Sequence, residues 1–376
     1  MTDTESVSFR NLSDADRLLF WTDRPRMVEV TTAVLPELDR RRLDAAVTAL
    51  RARLADYWIV TATNGRSPAL SFVGPAGGFD SAVVVADRVD PRDVGRLTIK
   101  GRPSVVVAPW LSPRTRELLI NDGVGFVDLT GNIDVRDPES GFFLSAIGAD
   151  RDPNPAPRRG PSLKGARAVA LMRTLVEVTP PYTAGDLAAA LDLDDGYISR
   201  ALQALADERL IERVPRGAVV SADWEALIRR ITTNYSLLDS NRTTTWIAAA
   251  GPPQLLIDLT RVRGGRWAAT GSIVASTIAP VAAPEIAVLY ADDPERLAKV
   301  ARLLPATTGA NVIIAEPYDD IVFTRLRQTD SGSTVSVAQA VIDLLTGPGR
   351  MPAEGEALLA WMTPNVPTWR AGNLEQ

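Results

Sequence analysis

The sequence of 376 residues contains no cysteine and no histidine. Without cysteine the chain forms no disulfide and has no thiolate metal ligand. Without histidine it also lacks the commonest metal ligand and the commonest general base. The two absences exclude a serine–histidine–aspartate triad, a cysteine–histidine pair and a zinc centre. Carboxylate and lysine chemistry are not excluded by these two absences. Over the whole chain we expect no catalytic residue, no metal site and no cofactor.

Lysine is scarce, and long apolar runs are absent. The only lysines are Lys100, Lys164 and Lys299, so any lysine-dependent mechanism would have to use one of these three. No apolar run approaches the roughly 20 residues that a membrane-spanning helix requires. The first residues, MTDTESVSFRNL, are polar and acidic, unlike a signal peptide. We expect a cytoplasmic protein without a membrane partner.

The composition is that of an ordinary globular protein, with 45% hydrophobic and 23% charged residues. Apolar runs of strand length alternate with helical patterns along most of the chain, which predicts an α/β or α+β fold. A proline-rich segment, DRDPNPAPRRGPS, interrupts this alternation and reads as a linker. The predicted organisation is an α/β domain (1–150), a linker (151–162), a helical domain with a hairpin (163–240) and a second α/β domain (241–376).

The pattern that follows the linker is the most informative in the chain. A helix is predicted over Ala166–Glu177, a second from the cap Thr183 to Leu191, and a third over Tyr197–Arg209, capped by Asp194 or Asp195. Strand-like alternation over 210–214, a turn at Arg216-Gly217 and a return over 218–220 complete a hairpin. This order predicts a winged helix-turn-helix, which lays its last helix in the major groove of DNA.

Six polar side chains of this segment are expected to contact double-stranded DNA. Arginine, serine, glutamine and tyrosine suit base edges and phosphates. Residues 151–230 carry 12 Lys/Arg and 11 Asp/Glu, whereas the whole chain has a net charge of −5. A sequence-specific reader with few phosphate contacts fits this balance. The alternative is a winged helix used only for protein contacts. The expected DNA-binding residues are Tyr197, Ser199, Arg200, Gln203, Arg213 and Arg216.

The N-terminal domain, with a helix over 38–57 followed by strands and a helix over 112–122, resembles the restriction-endonuclease-like fold. Active members of that fold need a carboxylate and an acid-x-lysine element to hold Mg²⁺ and position water. The chain contains no Asp-x-Lys or Glu-x-Lys, and Thr98 stands where the acid before Lys100 should be. Asp80, Asp87 and Asp128 remain as isolated carboxylates, so we expect a non-catalytic domain. Asp128-Leu-Thr-Gly-Asn132 is either a ligand or metal loop, or a turn that uses glycine and asparagine for positive φ.

The C-terminal domain has a weaker pattern that is similar to a nucleotidyltransferase. Gly271-Ser272 joins a strand to a helix, as in phosphate-binding sites, but Ala287 stands two residues after Glu285 where a second carboxylate would be needed. An active enzyme is therefore not expected. Asp292-Asp293 is expected to cap a helix. Phe323 is expected to open a last short strand, and helices are expected over 336–345 and 354–362.

Several phrases, taken in order, resemble a known family. They are WLSPRTRELLINDGVGFVDLTGNIDV, SLKGARAVALMRTLVE, RWAATGSIVASTIAP, NVIIAEPYDD, SVAQAVIDLLTGPGR and the closing AWM. Together they resemble the AbiEi-like antitoxins and transcriptional regulators of AbiE type IV toxin–antitoxin systems.

The resemblance implies a DNA-binding repressor that commonly regulates its own operon, and a partner toxin of the nucleotidyltransferase class. The family usually places its winged helix at the N-terminus, whereas in this chain the winged helix follows about 150 residues of α/β domain. The alternatives are an antitoxin or defence protein acting by protein contact, and a nuclease-like or nucleotidyltransferase-like enzyme. Because one winged helix offers few base contacts, we also expect a homodimer, assembled through the C-terminal helices with Trp361 and Trp369. The alternative is that these helices close the core of the C-terminal domain itself.

Overall fold

The chain divides between residues 158 and 159 into two compact units, each described by itself here. They are seen in a computed structural model that describes residues 19–20, 28–29, 35–64, 67–75, 77–97, 104–155, 163–214, 217–260, 262, 264–329 and 332–374. In this part of the chain the expected mixture of helices and sheets is present, which confirms the α/β class. None of the described helices is long and apolar enough to cross a membrane.

The first unit contains a seven-stranded sheet with strand order β3-β4-β5-β6-β7-β8-β9. The pairs β5–β6 and β6–β7 are parallel, and the other neighbours are antiparallel. A separate two-stranded pair, β1–β2, precedes it. The elements are β1 (Leu19–Phe20), β2 (Val28–Glu29), α1 (Glu37–Arg51), β3 (Ile59–Thr63), β4 (Ala69–Gly74), β5 (Gly77–Val85), β6 (Ser104–Ala108), α2 (Pro113–Asn121), β7 (Gly125–Asp128), β8 (Ile133–Asp137) and β9 (Phe142–Ala146).

Helices cover both faces of this sheet, which explains why its central strands are apolar throughout. On β6, Val105 and Val107 point to the core beneath α1, whereas Val106 points to the core beneath α2. The side-chain period of two in a strand sends neighbouring valines to opposite faces. Leu43 and Leu50 of α1 are fully buried, as the predicted amphipathic stripe requires.

The second unit contains another mixed seven-stranded sheet, with strand order β15-β12-β16-β14-β13-β18-β17. A helical segment with a hairpin precedes the sheet in the chain. The elements are α3 (Ala166–Glu177), α4 (Ala184–Leu191), α5 (Asp195–Asp207), β10 (Ile211–Arg213), β11 (Val219–Ala222), α6 (Trp224–Thr232), β12 (Arg242–Ile247), α7 (Gly251–Leu259), β13 (Trp267–Thr270), α8 (Ser272–Ile278), β14 (Ala287–Ala291), α9 (Pro294–Val300), β15 (Leu304–Pro305), β16 (Val312–Glu316), β17 (Arg327–Thr329), β18 (Gly332–Thr334), α10 (Val337–Leu345), α11 (Met351–Met362) and α12 (Val366–Trp369).

The helical segment and the second sheet share one hydrophobic core. Leu171 and Leu175 of α3 belong to the same cluster as Val341 and Leu344 of α10. The buried helix α10 packs against α3, α6 and α8. A division at residue 240, as the sequence pattern suggested, therefore does not separate two compact units, because the apolar faces of α3 and α6 are completed by residues more than a hundred positions later.

A buried polar cluster joins α10, β13, β14 and the turn after α6 at Asp343 of α10, which is fully buried. Its Oδ1 accepts hydrogen bonds from the phenols of Tyr235 (2.7 Å) and Tyr290 (2.9 Å) and from the Gln339 amide (2.9 Å). Its Oδ2 accepts one from the Thr270 hydroxyl at 2.6 Å. Burial raises the pKa of the Asp343 carboxyl to about 6, against the lowering effect of these donors.

The same network continues to the helical segment through Arg173 of α3, a fully buried arginine. Arg173 donates to Gln339 Oε1 at 3.0 Å and to Glu177 Oε1 at 3.0 Å. It also donates to the Thr324 carbonyl at 2.9 Å, and to the Ile321 carbonyl. A buried charge must be paired and hydrogen-bonded, and these contacts meet that requirement.

The C-terminal tail closes against the end of α3. Arg370 donates to the carbonyls of Leu175 (3.0 Å), Val176 (2.8 Å) and Val178 (3.0 Å), three acceptors that a helix end leaves unpaired. Trp369 packs edge-on against Trp224 with ring centroids 5.2 Å apart. The tail and α10–α11 thus complete the unit's own core, which leaves Trp361 and Trp369 partly buried.

Two expectations about elements were wrong, and one pair of strands was missed. The helix expected to reach Tyr57 ends at Arg51, whose side chain turns to the Val60 carbonyl at 2.6 Å and caps the edge strand β3. Phe323 lies in a 3₁₀ turn rather than a strand, because the Asp319 side chain accepts from the Ile321 amide and starts that turn. The pair β8–β9 was not expected at all.

Candidate nucleic-acid interface

Helices α4 and α5 of the predicted winged helix-turn-helix each begin with a side-chain cap. Thr183 Oγ accepts from the Asp186 amide at 3.1 Å, and Asp186 accepts from the Thr183 amide at 2.7 Å, a reciprocal capping box for α4. Asp194 accepts from the Tyr197 amide at 2.7 Å and caps α5. Of the two caps considered for this helix, Asp194 is the one that forms. Between the helices, Asp192 adopts a left-handed conformation with φ of 51°, which turns the chain sharply.

The hairpin after α5 is held to the start of α4. Strands β10 and β11 are antiparallel, with a bulge between Glu212 and Arg213. Tyr182 exchanges both backbone hydrogen bonds with Val219 (2.9 and 3.3 Å), so it adds a third, single-residue strand to the hairpin. The base of the hairpin and the N-terminus of α4 are therefore fixed relative to each other.

An open groove of about 580 Å³ lies between the α4 N-terminus, α5 and the hairpin. Four of the six expected DNA-binding residues line it, and its lining includes two arginines and no carboxylate. The lining residues are Thr183, Ala184, Gly185, Ser199, Arg200, Gln203, Arg213 and Gly217. The three residues of α4 were not expected as site residues, although the Thr183 capping signal already placed a helix N-terminus there.

The two arginines of the groove differ in how firmly they are held. Arg213 is half-buried and donates from Nη2 to the Gly217 carbonyl at 3.3 Å. Its Nε is buried and has no hydrogen-bond partner among the described residues. Arg200 is exposed. An anion in the groove would meet one fixed and one adaptable guanidinium, each capable of bidentate contact.

Ser199 and Gln203 present polar groups along the same face of α5. Ser199 is exposed, with its hydroxyl one position before Arg200. Gln203 is exposed as well, and its Nε2 donates to Asp207 Oδ1 at 3.1 Å. The opposite face of the helix carries Ile198, Ala201, Leu202 and Leu205, all buried.

Two expected contact residues do not join this groove. Tyr197 is half-buried, packs against the hydrophobic core and is not among the lining residues. Burial raises the pKa of its phenol. It was placed on the outer face because it opens the helix, but at the first turn its ring reaches the core beside Arg167 instead. Arg216 lies outside the described residues.

The aspartate loop of the first unit is a self-satisfied turn. Asp128 Oδ1 accepts from the Thr130 amide and hydroxyl and from the Asn132 amide, at 2.8–3.0 Å. Its Oδ2 accepts from the Asn132 side chain at 2.8 Å and the Leu111 amide at 3.2 Å. Gly131 has φ of 101°, which explains the glycine. Of the two interpretations of this loop, the structure bears out the turn, because every carboxylate lone pair already has a donor.

The other carboxylates considered in the sequence analysis do not form a metal site. Asp87 pairs with Arg42, and Asp80 lies exposed on β5. Asp293 accepts from the Arg296 amide at 2.9 Å, which confirms the expected cap of α9. Among the residues that the structure describes, no three Asp or Glu side chains are grouped closely enough to hold a metal ion.

The helix start at Gly271-Ser272 is covered by α11. Ser272 is buried, and a Cβ at Gly271 would lie 3.6 Å from the Met351 methyl carbon. Glu285 pairs with Arg350 at 3.1 Å. The start of α8 at Gly271-Ser272 is therefore in contact with α11.

Comparison with protein-family models, with curated proteins and with solved structures finds no match to this chain.

Proposed function

We propose that this chain is a sequence-specific DNA-binding transcriptional regulator, a repressor without enzymatic activity, whose residues 163–240 act as a winged helix. The observation that carries the proposal is the composition of the groove. Ser199, Arg200, Gln203 and Arg213 line it together with the N-terminus of α4, and no carboxylate is among the lining residues. In this assignment α5 enters the major groove, which is about 12 Å wide and admits one helix. The resemblance to AbiEi-like regulators supports the same assignment.

The roles of the groove residues follow from their placement. Arg200 and Gln203 lie one turn apart on α5 and would face base edges. The Ala184 and Gly185 amides at the start of α4 and the guanidinium of Arg213 would face phosphates on the two sides of α5. The hairpin, fixed to α4 through Tyr182, would hold these phosphate contacts at a constant separation.

The charge balance sets the expected strength of binding. With 12 basic and 11 acidic residues over 151–230, attraction to the phosphate backbone is modest. Two or three phosphate contacts for each module correspond to a slope of about −2 to −3 in a plot of log affinity against log salt concentration. Discrimination between sequences must then come from Arg200 and its neighbours on α5.

A binding experiment tests the proposal. A duplex selected from a random pool by the parent protein is titrated at two salt concentrations, followed by fluorescence anisotropy. Arg200→Ala is expected to weaken binding by about 5- to 150-fold, because a base contact contributes about 1–3 kcal/mol. Arg213→Ala and Arg216→Ala are expected to weaken all sequences alike and to flatten the salt dependence.

Arg242→Ala is the matched control. The Arg242 side chain is 87% exposed and forms an ion pair with Glu316 at 3.1 Å, and Arg242 lies on β12, outside the groove lining. It removes one positive charge of the same kind and is expected to leave binding within twofold of the parent. If Arg200→Ala and Arg213→Ala bind like this control, the groove is not the DNA site and the proposal is refuted.

A further inference from the structure

The contact between Gln203 and Asp207 constrains what Gln203 can recognise. The two residues lie one turn apart on α5, and the Gln203 amide lines the groove. A carboxylate only accepts hydrogen bonds, so the amide nitrogen, and not the oxygen, must face Asp207 at 3.1 Å. One of the two N–H groups of Gln203 is used in this contact. The carbonyl oxygen and the second N–H remain for another partner.

We infer that Asp207 is a positioning residue that fixes the Gln203 amide for adenine. The inference rests on the proposed DNA-binding function. An acceptor and a donor held side by side match the N6 amino group and N7 of adenine in the major groove. Guanine offers two acceptors there, cytosine one donor, and thymine one acceptor beside a methyl group. A freely rotating amide could serve several of these edges, whereas an amide fixed by Asp207 matches adenine alone.

Arg200 places a second base close to this adenine. Arg200 precedes Gln203 by three residues, which corresponds to about 4.5 Å along the helix axis, and both side chains line the same groove. Base pairs are stacked about 3.4 Å apart. A guanidinium pairs best with the O6 and N7 atoms of guanine. The preferred half-site therefore contains a guanine and an adenine at adjacent positions or one position apart.

A purely structural role for Asp207 predicts something different. A Gln–Asp pair four residues apart on a helix surface stabilises the helix slightly and has no influence on base preference. The negative charge of Asp207 near DNA would also weaken binding, but to all sequences equally. Orientation and charge can be separated, because an asparagine at this position keeps an acceptor oxygen for Gln203 and loses the charge.

The test measures base preference at single positions. The duplex selected by the parent protein is varied to all four bases at each position, and affinities are measured for the parent, Gln203→Ala, Asp207→Ala and Asp207→Asn. The parent is expected to favour adenine at one position by about 5- to 150-fold. Gln203→Ala should remove the preference at that position only. Asp207→Ala should reduce it at least fivefold, whereas Asp207→Asn should keep it within twofold of the parent.

Both Asp207 variants are expected to bind unrelated DNA equally, and more tightly than the parent, because each removes the same negative charge. Thermal unfolding midpoints check that the four proteins are equally folded. The inference is overturned if Asp207→Ala keeps the full preference, if Asp207→Asn loses as much as Asp207→Ala, or if the base read through Gln203 is not adenine. In these cases DNA binding that depends on Arg200 still stands. A parent protein that selects no DNA removes the basis of both proposals.

Discussion

The buried carboxyl of Asp343 provides a measurable test of the second unit's core. Asp343→Asn is nearly isosteric, and its remaining oxygen can still accept from Tyr235, Tyr290 and Gln339, the three donors that contact Oδ1. The new amide would face the Thr270 hydroxyl, which can act as an acceptor. The substitution therefore removes the titration of the carboxyl while keeping most of the hydrogen-bond network.

The magnitude follows from the difference between the folded and unfolded pKa values. The Asp343 pKa is about 6 in the folded protein, and an aspartate in an unfolded chain has a pKa of about 3.9. The raised pKa means that the folded state holds its proton where the unfolded state has lost it. The contribution to stability is thus fully present below about pH 4 and is lost as the pH rises through 6. The total is about 3 kcal/mol, of which about 2 kcal/mol is lost between pH 4.5 and 7.5.

The assay is urea unfolding of the full chain at pH 4.5, 5.5, 6.5 and 7.5, followed by tryptophan fluorescence. The free energy of unfolding of the parent minus that of Asp343→Asn is expected to fall by about 2 kcal/mol across this range. Other carboxyl groups cancel in the difference. Asp258→Asn, which removes an exposed carboxylate on α7, is the matched control for loss of a carboxyl group outside the core. A parent-minus-Asp343→Asn difference that stays constant within about 0.5 kcal/mol, or that rises with pH, would refute the reasoning.

Three further predictions concern the same unit and its assembly. Arg173→Met should lower the free energy of unfolding by about 3–5 kcal/mol in urea titrations, because it leaves buried Glu177 with Arg325 as its remaining arginine partner; a loss below 1 kcal/mol would contradict this. Trp369→Ala should lower the free energy of unfolding by about 2 kcal/mol, since it removes the edge-on contact with Trp224 and a hydrogen bond to the Met362 carbonyl at 3.0 Å. An unchanged midpoint of thermal unfolding would contradict the packing of the C-terminal tail against this unit. Light scattering of the full chain should give a dimer, because two half-sites are needed for selectivity in a genome, and a monomer at micromolar concentration would remove that expectation.

Local signals in the sequence located the elements of the helical segment closely. The bounds of the helix Ala166–Glu177 were predicted residue for residue, since its apolar period is unbroken. The caps Thr183 and Asp194 or Asp195 gave helix starts within two residues. Each of these signals acts over one turn of chain, where short-range hydrogen bonds decide the conformation.

Predictions failed where distant residues decide the outcome. Tyr197 was assigned to the groove from its position on the helix, but its side chain is partly buried and packs against the hydrophobic core. A strand was expected at Phe323, but this residue lies in a 3₁₀ turn. The Arg266 guanidinium lies over the Phe323 ring, 4.7 Å from its centroid. The strands β8 and β9 were missed although Ile133-Asp134-Val135-Arg136 alternates apolar and polar residues; β8 pairs with β7, and β9 pairs with β8.

The sequence by itself determined the α/β class and the absence of histidine and cysteine chemistry. It also determined the order of helices and hairpin that brings Ser199, Arg200, Gln203 and Arg213 to one groove. Only the tertiary structure decided that residues 163–240 and 241–376 share a core, that Asp343 and Arg173 become its buried polar centre, and that Met351 covers the helix start at Gly271. Local hydrogen bonds and apolar periodicity depend on residues that are close in sequence, whereas burial depends on surfaces that come into contact only after the whole unit has folded.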